Sequence, residues 1–211
     1  MSLAVITGAS RGLGAAIALE LASQHHILAV ARTVGGLEDL DDRIKATGGE
    51  ATLAPMDLNT PEAMNQLADA IAARWGKIDI WVHTAVHAAP LAPVAYTDDK
   101  DWAKSVATNL NATQRLITLL APLLGGGDAV FFDDPHDGAP FFGSYGATKA
   151  AQIALVRSWA KEAVAENTRV HIVTPEPMAT ATRARFHPGE DRSGLIAPAD
   201  EAKRLLAVLG L

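Results

Sequence analysis

Six short apolar runs, at Leu3–Thr7, Ile27–Ala31, Ala51–Met56, Ile78–His83, Ala129–Phe132 and Arg169–Thr174, recur along the chain with longer stretches of helical character between them. The alternation restricts the fold severely, because parallel strands need crossovers long enough to hold a helix. The runs are apolar throughout and do not alternate with polar residues, as expected of strands covered on both faces. The expected fold class is therefore α/β, a three-layer Rossmann arrangement with a doubly wound parallel sheet of six or so strands. Helical signals are clearest at Arg11–Ser23, Thr60–Trp75, Asp98–Leu120, Ser144–Glu166 and Pro198–Leu209, and Pro61 sits in a first turn where its missing N–H costs nothing. Pro, Gly and charged residues collect from Pro135 to Gly143 and from Glu176 to Ser193, so both stretches read as loops. Each follows a strand end, the side on which open α/β sheets bind ligands.

No repeat or linker interrupts the pattern, and 211 residues suffice for one domain spanning 1–211. The net charge of −6 and the lack of a long Lys/Arg run argue against nucleic acid as a partner. Every apolar stretch is broken by a charge well before the ~20 residues a membrane span needs. Without cysteine, the chain has no disulfides, thiolate nucleophiles or Cys-based metal sites. The opening MSLAVITGAS carries neither a basic leader nor a cleavage site, and a cytoplasmic location is expected.

The sharpest motif is Thr7-Gly8-Ala9-Ser10-Arg11-Gly12-Leu13-Gly14, which directly follows the first strand and opens a helix. Glycines there let the backbone approach a pyrophosphate, and the helix N-terminus offers free N–H groups with about half a positive charge. Much later comes Tyr145-x-x-x-Lys149 at the start of a helix, which puts both side chains on one face.

Together these two motifs resemble the short-chain dehydrogenases/reductases over nearly the whole chain. The resemblance implies a nicotinamide cofactor, with Gly8, Ser10, Gly12, Leu13 and Gly14 around its phosphates. In that family an acid ending the second strand favours NAD, and basic residues in the glycine turn and after that strand favour NADP. Arg11 and Arg32 stand at those places here, and a guanidinium grips a 2′-phosphate through paired charge-assisted bonds. NADP is the expected cofactor. Asp57 and Leu58 resemble the pair that contacts adenine, and Thr180 the threonine that meets the carboxamide.

The resemblance makes Tyr145 the proton donor and acceptor, Lys149 its tuner and holder of the nicotinamide ribose, and Asn109 the residue that kinks its helix and anchors a relay water. Asn111 is the neighbouring alternative. Bringing a tyrosine from a value near 10 to neutrality requires about 4 kcal/mol. One ammonium at about 4 Å supplies roughly that amount at an effective dielectric of about 20.

Four departures from the family pattern stand out. The serine expected at the end of the fifth strand is missing: the chain reads Val130-Phe131-Phe132-Asp133-Asp134-Pro135-His136. Counting back from Tyr145 lands on Phe132, and a shortened loop would put Asp133 or Asp134 there. An ionised carboxylate would oppose Lys149 and suit a cationic or iminium substrate, whereas a protonated one would donate to a carbonyl. Ser144, next to Tyr145 on its helix, points elsewhere. The fourth strand ends in His83-Thr84-Ala85-Val86 where the family has Asn-Asn-Ala-Gly, leaving Thr84 and Ala85 as the cofactor-facing positions. Pro175-Glu176 replaces a usual Pro-Gly, and the chain stops at Leu211, where relatives continue into a seventh strand.

His83, His87 and His136 near strand ends are read as hydrogen-bonding residues, with no metal site expected. Phe141, Phe142, Phe186 and Trp102 are possible apolar walls of the substrate space. A homodimer paired through helices 98–120 and 144–166 is expected. The expected function is an NADP(H)-dependent oxidoreductase acting on a small carbonyl, alcohol or imine. The alternative is a catalytically impaired NADP-binding protein with a sensing or structural role.

Overall fold

Strands covered on both faces must lie between two helical layers, and the computed structural model, which describes residues 2–211, has that arrangement. Strands β1 (Leu3–Thr7), β2 (His26–Ala31), β3 (Ala51–Pro55), β4 (Ile80–His83), β5 (Asp128–Phe132) and β6 (Arg169–Val173) form one sheet of order β3-β2-β1-β4-β5-β6. Every pairing is parallel. The strands differ from the sequence expectation by at most two residues at an end, the largest difference being the late start of β4 at Ile80.

The helices are α1 (Gly12–Leu21), α2 (Val34–Ala46), α3 (Pro61–Arg74), α4 (Asp99–Ser105), α5 (Ala112–Leu120), α6 (Gly143–Glu162), α7 (Ala181–Phe186) and α8 (Pro198–Leu209). One face of the sheet packs on α1, α2 and α8 through Ile17, Leu21, Leu37, Leu40, Ile44, Leu205 and Leu206. The other packs on α3, α5 and α6 through Met64, Leu67, Ile71, Leu116, Leu120, Val156 and Trp159. Central β1 and β4 are buried along their whole length, and the outer strands β3 and β6 are only half-buried.

Three elements differ from the sequence reading. Helix α2 was not expected, because Gly35 and Gly36 follow Val34 and weaken its first turn, yet Leu37, Leu40 and Ile44 fall on one buried face. The long helix expected over 98–120 is interrupted by a π-helical turn at Val106–Asn111, in which Asn109 is buried. The second predicted loop contains α7, whose N-terminus is capped by Thr180 accepting from the Arg183 N–H at 3.2 Å.

Leu116 is fully buried beneath β4 and β5, whereas Val208 on α8 is largely exposed. Leu116→Ala is expected to cost about 2–5 kcal/mol, and Val208→Ala less than about 0.5 kcal/mol, as read from urea unfolding of the two variants.

Candidate functional site

The strand order reverses between β1 and β4, and the carboxyl ends of these strands open into a cavity of about 910 Å³. Its walls hold Gly8, Ser10, Arg11, Gly12, Leu13 and Gly14 from the glycine turn, Arg32 after β2, and Asp57 and Leu58 after β3. Thr84 and Ala85 follow β4, Asp133, Asp134 and His136 follow β5, Tyr145 and Lys149 come from α6, and Thr180 follows β6. The cofactor positions expected from sequence therefore converge on one cleft.

The glycine turn is glycine for steric reasons. Gly8 has φ +89°, and a Cβ there would lie 2.5 Å from Thr84 Oγ1 and 2.6 Å from the Ala85 nitrogen. A Cβ on Gly14 would lie 2.5 Å from the Gly8 carbonyl oxygen. Thr84 closes the contact, donating both its N–H (2.8 Å) and its hydroxyl (2.9 Å) to the Thr7 carbonyl. The replacement of the expected Asn-Asn-Ala-Gly thus leaves the approach of the two segments intact. Helix α1 begins with no capping side chain and no acid in its first turn, so its N–H groups are available to an anion. Arg11 and Arg32 are exposed at the rim and form no ion pair among the described residues. The residues present fit a dinucleotide phosphate: a glycine cradle, an uncapped helix terminus and two free guanidiniums. Asp57 accepts from the Asn59 N–H at 3.0 Å in a local turn, with Leu58 buried beside it.

At the inner end of the cleft the geometry differs from the expected tyrosine–lysine unit. Tyr145 Oη donates to Asp134 Oδ2 at 2.7 Å, while Lys149 Nζ donates to Gln152 Oε1 at 2.6 Å. Burial, then the Asp134 carboxylate, holds the Tyr145 hydroxyl well above its ordinary value near 10. Burial pushes the Lys149 ammonium down to about 8, against the opposing pull of Asp134 and Asp133. The anticipated lowering of the tyrosine by its lysine is thus absent, because the ammonium faces a neutral amide and the phenol faces an anion. Of the two acids left open by the sequence, Asp134 is the one on Tyr145. Asp133 turns to Arg157, 3.4 Å away, and caps the Asp134 N–H at 2.9 Å.

Asn109 anchors the segment after β4: its Oδ1 accepts from the His87 N–H at 2.7 Å, and its Nδ2 donates to the His87 carbonyl (3.1 Å) and Thr148 Oγ1 (3.0 Å). Asn111 is exposed and takes no such part.

Behind Lys149 runs a buried polar chain that sequence reasoning missed. Gln152 Nε2 donates to Thr113 Oγ1 (2.7 Å) and to the Asn109 carbonyl (2.8 Å). His83 lies between Thr113 Oγ1 (3.0 Å) and Thr7 Oγ1 (2.7 Å), and burial, then Lys149, pushes it down to about 3. The available signal was spacing: Gln152 lies three residues after Lys149 on the buried face of α6. Glu201 was also missed. It is fully buried, pairs with Arg204 and accepts the Glu176 N–H at 2.9 Å, which ties α8 to the loop after β6.

The predicted walls are confirmed only in part. Phe186 lines the cavity, and Phe142 packs against Tyr145 and Phe186. Trp102 and Phe141 are corrected: they are exposed and not among the lining residues, Phe141 because its positive φ of 71° turns it outward. Ser144 is buried and does not line the cavity. No helix among the described residues is long and apolar enough to cross a membrane.

Residues 2–191 match the family model for short chain dehydrogenases. The chain belongs to this family. An uncharacterized oxidoreductase of Mycobacterium tuberculosis is 33% identical over 186 residues, covering 85% of this chain and 70% of the relative. The YciK oxidoreductase of Escherichia coli is 30% identical over 215 residues, covering 98% and 85%. Among solved structures, a metagenomic short-chain oxidoreductase in complex with NADP is 29% identical, with TM-score 0.84 over 99% of this chain and 89% of the other. An alcohol dehydrogenase from the archaeon Thermococcus sibiricus complexed with 5-hydroxy-NADP is 26% identical, with TM-score 0.87 over 100% and 91%. Membership makes this short chain dehydrogenase an oxidoreductase by family, built on a six-stranded Rossmann sheet.

One consequence for this dehydrogenase concerns pH. His83 has an ordinary value of 6.5 and is pushed down to about 3 in the folded protein, so on acidification the unfolded chain takes up a proton that the folded one refuses. Stability should therefore fall from pH 6.5 towards 3, by about 1 kcal/mol per pH unit from this group. Urea midpoints measured across that range should show a shallower acid loss in His83→Gln than in the unaltered protein.

Proposed function

We propose that the protein is an NADPH-dependent reductase of a small C=O or C=N substrate, with Tyr145 as proton donor. The observation that carries this reading is the convergence of Tyr145, Lys149 and the glycine turn on one cavity, in a chain of an oxidoreductase family.

NADP preference is supported by the free guanidiniums of Arg11 and Arg32 and by the absence of an acid at the end of β2, which runs Ala31-Arg32-Thr33. Two guanidiniums at the rim complement a 2′-phosphate, and an acid there would repel it. The NADP complexes of similar proteins agree with this choice. In this reading Gly8, Ser10, Gly12, Leu13 and Gly14 hold the phosphates, Asp57 and Leu58 border the adenine, and Thr84, Ala85 and Thr180 border the nicotinamide end. Bound there, the nicotinamide supplies the hydride. In this reading Lys149 would hold the nicotinamide ribose, for which its ammonium would have to leave Gln152 Oε1.

A phenol held well above its ordinary value keeps its proton at neutral pH and is a weak acid, so it gives that proton only to a strong base, such as the alkoxide-like oxygen or the anionic nitrogen that hydride arrival forms on a neutral C=O or C=N group. Asp134 replaces the family's serine by holding the phenol, and its charge favours a substrate that carries positive charge, such as an iminium ion, which hydride alone converts to the neutral amine. Asn109 supports the site by fixing the segment at His87. The enzyme would act as a cytoplasmic homodimer packed through the helical segment 98–120, which holds α4 and α5, and through α6. Retention of Tyr145, Lys149 and Asn109 together favours this reading over an impaired nucleotide-binding protein.

Loss of NADPH absorbance with a panel of carbonyl and imine substrates tests the proposal. Tyr145→Phe should lower kcat by about 100-fold or more while leaving NADPH affinity within a few-fold. Turnover indifferent to Tyr145→Phe would remove the assigned role, and the absence of turnover with every substrate would remove the reductase reading.

A further inference from the structure

The wall of the cavity formed by α7 carries a guanidinium that neither the nucleotide rim nor the proton donor uses. Of the three arginines that line the cavity, Arg11 and Arg32 are exposed at the rim, and Arg183 on α7 is partly buried. Its backbone N–H donates to Thr180 Oγ1 at 3.2 Å. One turn further along the same face of α7, Phe186 packs on Tyr145 with ring centroids 4.7 Å apart. The helix is thereby set in register against the Tyr145 end of the cavity.

Glu190 orients the guanidinium without using it up. Arg183 Nε and Nη2 donate to Glu190 Oε2 and Oε1 at 2.7 and 2.5 Å. A guanidinium has five N–H groups, so one on Nη2 and both on Nη1 are left over, and Nη1 has no protein acceptor among the described residues. The free end of the fork presents two parallel N–H bonds, the arrangement that matches a planar carboxylate. Arg183 lines the cavity and Glu190 does not, so the free end is the part open to a ligand there.

The surroundings favour an anion at this place. Arg183 first, then His187 and Arg192, hold the Glu190 carboxyl below the usual carboxylate range against the opposing effect of burial. Asp191, the next acid in the loop, is turned to the Ser193 N–H and hydroxyl, at 2.9 Å each. At the Tyr145 end the sign is reversed, because Asp134 accepts the phenol at 2.7 Å and repels an anion. The two charges would turn a substrate that carries both groups one way round, with its C=O or C=N at Tyr145 and its anion at α7.

We propose that Arg183 is the substrate-recognition residue of the cavity, its free fork end taking a carboxylate, and that the substrate is a small carbonyl or C=N compound bearing that carboxylate. The inference rests on the reductase reading given above and names the substrate class for it.

Two matched pairs separate the carboxylate from the reducible group: 1-pyrroline-2-carboxylate with 2-methyl-1-pyrroline, and 2-oxobutanoate with its methyl ester. With NADPH and the full chain, kcat/KM should favour the acid of a pair by about tenfold or more, and Arg183→Gln should lower that ratio about tenfold. The ratio compares two substrates in one protein, so any loss of folded protein cancels. Arg185→Gln removes the same charge from an exposed residue of α7 that does not line the cavity, and should leave the ratio within about twofold. A ratio unchanged in Arg183→Gln, or lowered equally in Arg185→Gln, overturns the recognition role. With NADP⁺ in place of NADPH, so that no turnover intervenes, binding of 2-oxobutanoate read by saturation-transfer NMR should be lost in Arg183→Gln. Turnover confined to the uncharged members of the pairs overturns the carboxylate class and leaves the reductase reading standing. Binding that depends on Arg183 without turnover of any substrate overturns the reductase reading, and the substrate class with it.

Discussion

The cleft depends on the contact between the glycine turn and the segment after β4. With Gly8 at φ +89° and a Cβ there excluded by Thr84 and Ala85, β1 and β4 can lie side by side and still leave the N-terminus of α1 open to the cavity. That contact joins the two halves of the sheet where strand order reverses, and the ends of β5 and β6 complete the walls. A side chain at Gly8 or Gly14 would push the halves apart before any ligand arrived.

Within the walls, charge placement separates this chain from the pattern it resembles. An anion rather than a hydroxyl meets the tyrosine, and a neutral amide rather than the tyrosine meets the lysine ammonium. Burial and then the Asp134 carboxylate push the phenol towards keeping its proton, and both pairings follow from local chain geometry. The turn after β5 brings Asp134 over Tyr145, and the buried face of α6 aligns Lys149 with Gln152. The buried neutral His83 extends this polar interior across β4 to Thr7.

Most of the fold was legible because its causes are local. Continuous apolar runs mark doubly covered strands, and the glycine turn and the Tyr145–Lys149 spacing carry steric and directional meaning in themselves. Helix α2 was hidden by the two glycines after Val34, whose propensity is overridden by burial of Leu37, Leu40 and Ile44. The choice between Asp133 and Asp134 was not legible, since it depends on loop closure over Gly146 and on a partner for Asp133 at Arg157. Nor was the chain from Gln152 through Thr113 to His83, whose members are scattered over three elements and meet only when the sheet and its helices assemble. Trp102 and Phe141 illustrate the converse: aromatic residues near a site in sequence that the backbone turns to the surface.

The central claim is that this cleft holds NADPH through its free guanidiniums and glycine cradle. The most direct measurement is a fluorescence titration of the purified protein with NADPH and with NADH, repeated in Arg32→Ala. The account predicts NADPH bound more tightly than NADH, with the preference lost in the variant. Equal affinity for both nucleotides in the unaltered protein, or binding of neither, would contradict it.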